Sequence, residues 1–160
     1  MPSPTSWSST TYVSLTYSQN IDALLGGTRW TSSTITYSFP GYSSVWSTST
    51  TTGYGASSGT QEPWSASFSS ASTSDQIYFA AALQKWADVA NLHFTQVVDT
   101  STNVGDIRAA YSYQVSLSGS QAWAYFPDNT SKSGDIWFNS SGASALNYWL
   151  FQALNLWIFL

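Results

Sequence analysis

The stretch TSDQIYFAAALQKWADVANLHFTQVV, residues 73–98, decides the fold. Phe79, Ala82, Leu83, Trp86, Val89 and Ala90 recur at three- and four-residue spacing, which on a 3.6-residue helix draws one apolar stripe. Gln84, Lys85 and Asp88 fall outside it. Thr73, followed three residues later by Gln76, predicts a capping box at the start, with Asp75 set against the positive end of the helix dipole. Such a helix lies on an apolar surface, and candidates for that surface follow at once. Leu92–Val98, Ile107–Tyr113, Gln121–Phe126 and Ile136–Asn139 are rich in aromatic and β-branched residues and are separated by Gly, Asp, Asn and Ser clusters that read as turns. Upstream, Thr34–Phe39 alternates Ile35, Tyr37 and Phe39 with Thr34, Thr36 and Ser38, a half-buried strand closed by Pro40-Gly41. The expectation is an α/β (α+β) fold in which a helix and a sheet bury each other's apolar faces.

Composition narrows the partners. A chain of 160 residues is long enough for one domain with a core of its own. Only 8% of its residues are charged, four basic against eight acidic, for a net charge of -4. Nucleic acid is thereby excluded as a partner, because phosphate neutralisation needs clustered Lys and Arg. The absence of cysteine removes disulfides and every thiolate-based metal or nucleophile chemistry. Residues 1–19 are Ser-, Thr- and Pro-rich, an extended and loosely held lead-in with neither the basic run nor the apolar core of a signal peptide. Asn20–Gly27 reads as a short helical turn ended by Gly26-Gly27. Residues 42–72 are expected to form a long surface loop tied down by Trp46, Trp64 and Phe68. Within it Gly55-Ala56-Ser57-Ser58-Gly59 satisfies GxSxG, but a nucleophile elbow needs a strand before it and a helix after it, and neither is expected here.

Six pieces in order carry a resemblance. They are Asp22–Trp30 with Ile35–Pro40, the helix end Leu83–Asn91, the strand Leu92–Val97, Gly105-Asp106-Ile107-Arg108, Gln121–Pro127 and Gly134–Asn139. Together they resemble serralysin-type zinc metalloproteases, secreted bacterial members of the metzincin clan related to the matrixins, over residues 20–154. The resemblance implies the upper subdomain of a metzincin catalytic domain: a twisted, mostly parallel five-stranded sheet packed against helices, with one antiparallel edge strand. In that family the edge strand lies above the zinc and pairs with extended peptide or protein substrate through main-chain hydrogen bonds. The matching residues here are Gln121, Ala122, Trp123, Ala124, Tyr125 and Phe126, and strand addition is the physics they would use. In matrixins the position of Trp123 is a histidine on a structural zinc, so that secondary site is not expected.

The resemblance also implies a helix bearing HExxHxxGxxH, in which three histidines hold zinc and a glutamate activates the metal-bound water. The sequence offers the approach, Asn147–Leu154, and then departs into Asn155-Leu156-Trp157-Ile158-Phe159-Leu160. The sole histidine is His93, expected to be a partly buried, hydrogen-bonded strand residue. Asp99, Asp106, Asp128 and Asp135 are expected at strand ends and turns, bonding locally, with Glu62 a scattered carboxylate. No catalytic residue and no metal ligand can be named, and zinc, the family's cofactor, is not expected on these residues. The expectation is a family member or remnant whose reading frame was shifted or truncated after Leu154, inactive in this form. Residues 155–160 continue an uncharged apolar tail, short for a membrane span and suited to self-association. The alternatives are a non-catalytic extracellular peptide- or carbohydrate-binding module and, third, a protein tethered to a membrane by the tail.

Overall fold

The computed structural model describes residues 3–4, 9–18, 26–64 and 68–142. The expected helical turn at residues 20–27 and the apolar tail fall largely or wholly outside them. Strand β1 is Ser3–Pro4, β2 Thr10–Tyr12, β3 Thr28–Trp30 and β4 Thr34–Ser38; β5, Ser69–Ser70, precedes helix α1, Thr73–Ala90. Then come β6 (His93–Gln96), β7 (Asn103–Val104), β8 (Ile107–Ser112), helix α2 (Tyr113–Leu117), β9 (Ala122–Ala124) and β10 (Ile136–Asn139), followed by a 3-10 turn at Ser140–Gly142.

The principal sheet runs β6-β4-β8-β10-β9. β4 is parallel to β6 and to β8, and β8 to β10, while β9 runs antiparallel to β10 at the edge. The mostly parallel five-stranded sheet with an antiparallel edge is therefore present. Two-residue β5 adds to it: where β4 stops at Ser38, β5 takes up antiparallel pairing with Tyr111 and Ala110 farther along β8. All six residues of β8 are buried, as a central strand covered on both faces requires. The lead-in is partly held rather than loose, because β1 pairs with β7 and β2 with β3.

One face of the sheet receives α1. Ile35 and Tyr37 of β4, Ile107 and Tyr111 of β8, and Phe138 of β10 meet Phe79, Ala82 and Leu83 of the helix in one buried cluster. The helix begins one residue earlier than its sequence suggests. Ser72 is the N-cap, accepting from the Asp75 amide, and the Asp75 carboxylate accepts in return from the Ser72 amide at 3.0 Å. Gln76 instead donates to the Ala71 carbonyl. Ser72 wins because its backbone is already extended while Thr73 has entered the helix. The apolar stripe also ends early, since Val89 is 78% exposed. An 18-residue helix is about 27 Å long, against roughly 13–20 Å for strands of four to six residues, so its last turn overhangs the sheet.

The opposite face is covered by the long loop. Trp46 and Tyr54 pack on Trp137 of β10, with ring centroids 5.0 and 5.9 Å away, and Val115 of α2 closes the cluster beside Ala110. Trp64 and Phe68 are half-buried against the same rings. Burying such side chains stabilises by roughly 1.5–3 kcal/mol each, which ties the segment to the sheet at these points. At the loop's root Arg108 forms a buried bidentate pair with Asp99, Nε–Oδ2 2.9 Å and Nη2–Oδ1 3.0 Å, and its guanidinium stacks 3.6 Å from the Trp46 ring centroid. Asp99 also accepts from Ser38 and Ser44, so one carboxylate joins β4, the loop and β8.

Candidate functional site

β9 is one of the two outer strands of the principal sheet, and its outer side leaves backbone groups unused among the described residues. The Asn139 amide donates to the Gln121 carbonyl at 2.9 Å and the Tyr125 amide to the Asp135 carbonyl at 3.0 Å. Antiparallel pairing alternates, so Gln121, Trp123 and Tyr125 turn their polar backbone toward β10 while Ala122 and Ala124 turn theirs outward. Among the described residues no strand pairs with that outer edge. Side chains alternate as well. Ala122 and Ala124 lie on the α1 face and Trp123 and Tyr125 on the loop face. Gln121 and Phe126 are exposed at the two ends of the run, with the Phe126 ring beside Gly26. The six expected site residues are thus brought together as one edge, although the strand proper is shorter than the apolar run.

Beneath this edge sits a buried polar layer that the sequence does not announce. Glu62 is 3% exposed, and its Oε1 accepts from Trp123 Nε1 at 2.7 Å and from the Tyr125 hydroxyl at 2.6 Å. Its Oε2 is buried with no hydrogen-bond partner among the described residues. Ser112 Oγ donates to the Glu62 carbonyl at 2.9 Å, which pins the backbone of the same residue to the end of β8. Next to it, Asp135 accepts from the Tyr54 hydroxyl, which in turn receives Trp137 Nε1 at 3.0 Å. Burial pushes the Asp135 carboxyl up to about 7, against the lowering effects of Arg108 and of the Tyr54 hydrogen bond, with Asp99 and Glu62 adding to the rise. The Tyr125 hydroxyl is raised far above its ordinary value, by burial first and then by the hydrogen bond to Glu62 and its charge. Lys132 lies 4.9 Å from the Tyr125 ring centroid. The one signal in the sequence is that Glu62 is the single charged residue between positions 42 and 72.

The other candidates separate. His93 is exposed on β6, not partly buried, because an edge strand leaves that side chain outside the core. Four inter-strand spacings, roughly 19 Å, divide β6 from β9. Asp128 bonds locally, to the Thr130 amide and hydroxyl, as expected of a turn. Asp99, Asp106 and Asp135 do not: Asp106 holds the Thr36 amide and hydroxyl, and the other two are buried in the contacts above. Among the described residues no three His, Asp or Glu side chains group closely enough to hold a metal. These residues do not fit a zinc site, which needs its ligands converging at about 2 Å. The GxSxG segment lies in turns with exposed serines and no following helix, so it is not a nucleophile elbow. A cleft of about 310 Å³ opens between residues 29–35 and 90–92, lined by Arg29 and by no carboxylate. No helix among the described residues is long and apolar enough to cross a membrane.

No protein-family model matches the chain. Part of it is similar to known proteins: 31% identical over 86 residues to a serralysin of Photorhabdus laumondii, 36% over 78 residues to a serralysin of Photorhabdus sp. strain Az29, and 44% over 60 residues to serralysin A of Dickeya chrysanthemi. The matched segments cover 53%, 48% and 36% of this chain, and 17%, 16% and 13% of those relatives. The likeness is to serralysins, over about half of the chain at most, and the chain spans less than a fifth of its relatives' length.

Proposed function

We propose that residues 20–154 are the substrate-binding half of a catalytic domain of the secreted, zinc-dependent endopeptidase kind, and that β9 takes up an extended peptide as an added strand. The observation that carries this reading is the outward row of backbone donors and acceptors at Ala122 and Ala124. It lies on the antiparallel edge strand β9 of a mostly parallel sheet, in a chain related to serralysins. Main-chain hydrogen bonds supply affinity whatever the peptide's sequence, and two small side chains leave room on the α1 face for alternate peptide residues. The sequence carries a single histidine and no HExxH motif, whereas a catalytic zinc takes three protein ligands; on this reading the chain binds peptide and does not cut it.

The test is titration of the purified chain with extended peptides and with oligosaccharides, beside a general protease assay. Saturable peptide binding without hydrolysis is expected. Ala124→Pro removes an outward N–H that the sheet does not use, a change tolerated at an edge; it should weaken binding about tenfold while lowering stability by less than about 1 kcal/mol. Glycan binding with no peptide binding, or unchanged peptide binding by Ala124→Pro, would refute the reading.

A further inference from the structure

We propose that Glu62 is the positioning residue of the β9 edge: its buried carboxylate holds Trp123 and Tyr125 from below, which fixes the strand whose other side faces the peptide. The inference rests on the peptide-binding reading for its consequence, though not for its geometry. Trp123 and Tyr125 are alternate residues of one strand, and both polar tips converge on one oxygen, Oε1. The residues between and beside them, Ala122 and Ala124, carry the outward backbone groups, so any roll or lift of β9 that breaks the two bonds also turns those groups away from a ligand. Among the described residues β9 has backbone pairing with β10 alone, over three residue pairs. A strand so short and so lightly paired has little rigidity of its own.

Glu62 is itself immobilised, since its carbonyl accepts from Ser112 at the end of the central strand β8. The clamp therefore refers the edge back to the most buried strand of the sheet. A neutral acceptor would do part of this, but a carboxylate takes two donors in charge-assisted bonds, roughly twice as strong as neutral ones. Oε2 lies buried without a partner among the described residues, an arrangement that packing alone disfavours.

The variants Glu62→Gln and Glu62→Ala separate positioning from bulk. The amide of Glu62→Gln would keep an acceptor oxygen in the place of Oε1 and put its nitrogen where Oε2 has no partner. The methyl of Glu62→Ala would instead leave the indole N–H and the phenol unpaired. Peptide affinity should weaken about tenfold or more in Glu62→Ala, the equivalent of ~1.4 kcal/mol, and recover to within about threefold in Glu62→Gln. Amide hydrogen exchange on the free protein supplies the second readout. In Glu62→Ala the Trp123 and Tyr125 amides should exchange about tenfold faster than in the unaltered chain while amides of β8 are unchanged, and Glu62→Gln should restore them. Equal acceleration in β8 and β9 would reduce Glu62 to general stability and overturn the proposal, as would unaltered exchange at β9. If the unaltered chain binds no peptide, the exchange pattern still decides the role of Glu62, and the failure belongs to the peptide-binding reading alone.

Discussion

Replacing Asp135 by asparagine removes a buried charge without changing the shape that Tyr54 bonds to. Burial holds the Asp135 carboxyl near 7, against 3.8 in the unfolded chain, so the folded protein binds its proton more tightly than the unfolded one. Below about pH 4 both states are protonated and the site contributes its full stability. As the pH rises from about 4 to 7 the unfolded chain loses the proton first, and stability falls by up to ~1.4 kcal/mol per pH unit. Above about 7 the charge stands in a buried site where, among the described residues, the Tyr54 hydroxyl donates to it and Arg108 offsets it only in part, and a rise of that size amounts to a loss on the order of 4 kcal/mol. Asp135→Asn keeps an oxygen for the Tyr54 hydroxyl and has nothing to titrate. Urea midpoints of the two proteins should therefore nearly coincide at about pH 4 and diverge upward, with the variant the more stable by a few kcal/mol at about pH 8. Taking the difference cancels the other carboxylates, which both proteins share. A difference that stays constant between those two pH values would refute the reasoning, and so would a variant that loses stability relative to the parent as pH rises.

Two other substitutions probe the frame that carries the edge. Arg108→Lys retains the charge but loses the two-pronged bond to Asp99 and the stack on Trp46; a loss of about 2 kcal/mol in denaturant unfolding is expected, and an unchanged midpoint would contradict the role given to the fork. Gly105→Ala places a methyl 2.6 Å from the backbone of Tyr37 and Ser38, where β4 and β8 come together. It should cost about 1–3 kcal/mol in thermal or urea unfolding, and a neutral result would mean the two strands are not so close.

What the sequence reveals and what it hides follow from the range of the interactions. Ile136–Asn139 is legible because Gly134 and Asp135 set off the apolar run behind them, and α1 is legible because eighteen residues repeat the period several times. α2 is five residues, too short for any period, and its sequence merges into the strand before it. The edge strand is legible from its aromatic run together with the family likeness. Its support is not, because Glu62 lies 61 and 63 residues from the donors it holds, and nothing local to either segment records the pairing. The same holds for Tyr54 and Asp135, 81 residues apart. Ser- and Thr-rich composition makes residues 42–64 look like a surface loop, yet the few aromatic side chains within it pack on the sheet and make the segment its second cover.

The central claim is that β9 offers its outer backbone to an extended peptide. Amide hydrogen exchange at Ala122 and Ala124, measured with and without saturating peptide, tests it most directly. The account predicts fast exchange at both amides in the free protein and marked slowing of those two when peptide is bound. Binding that protects amides elsewhere and leaves Ala122 and Ala124 exchanging as before would contradict it.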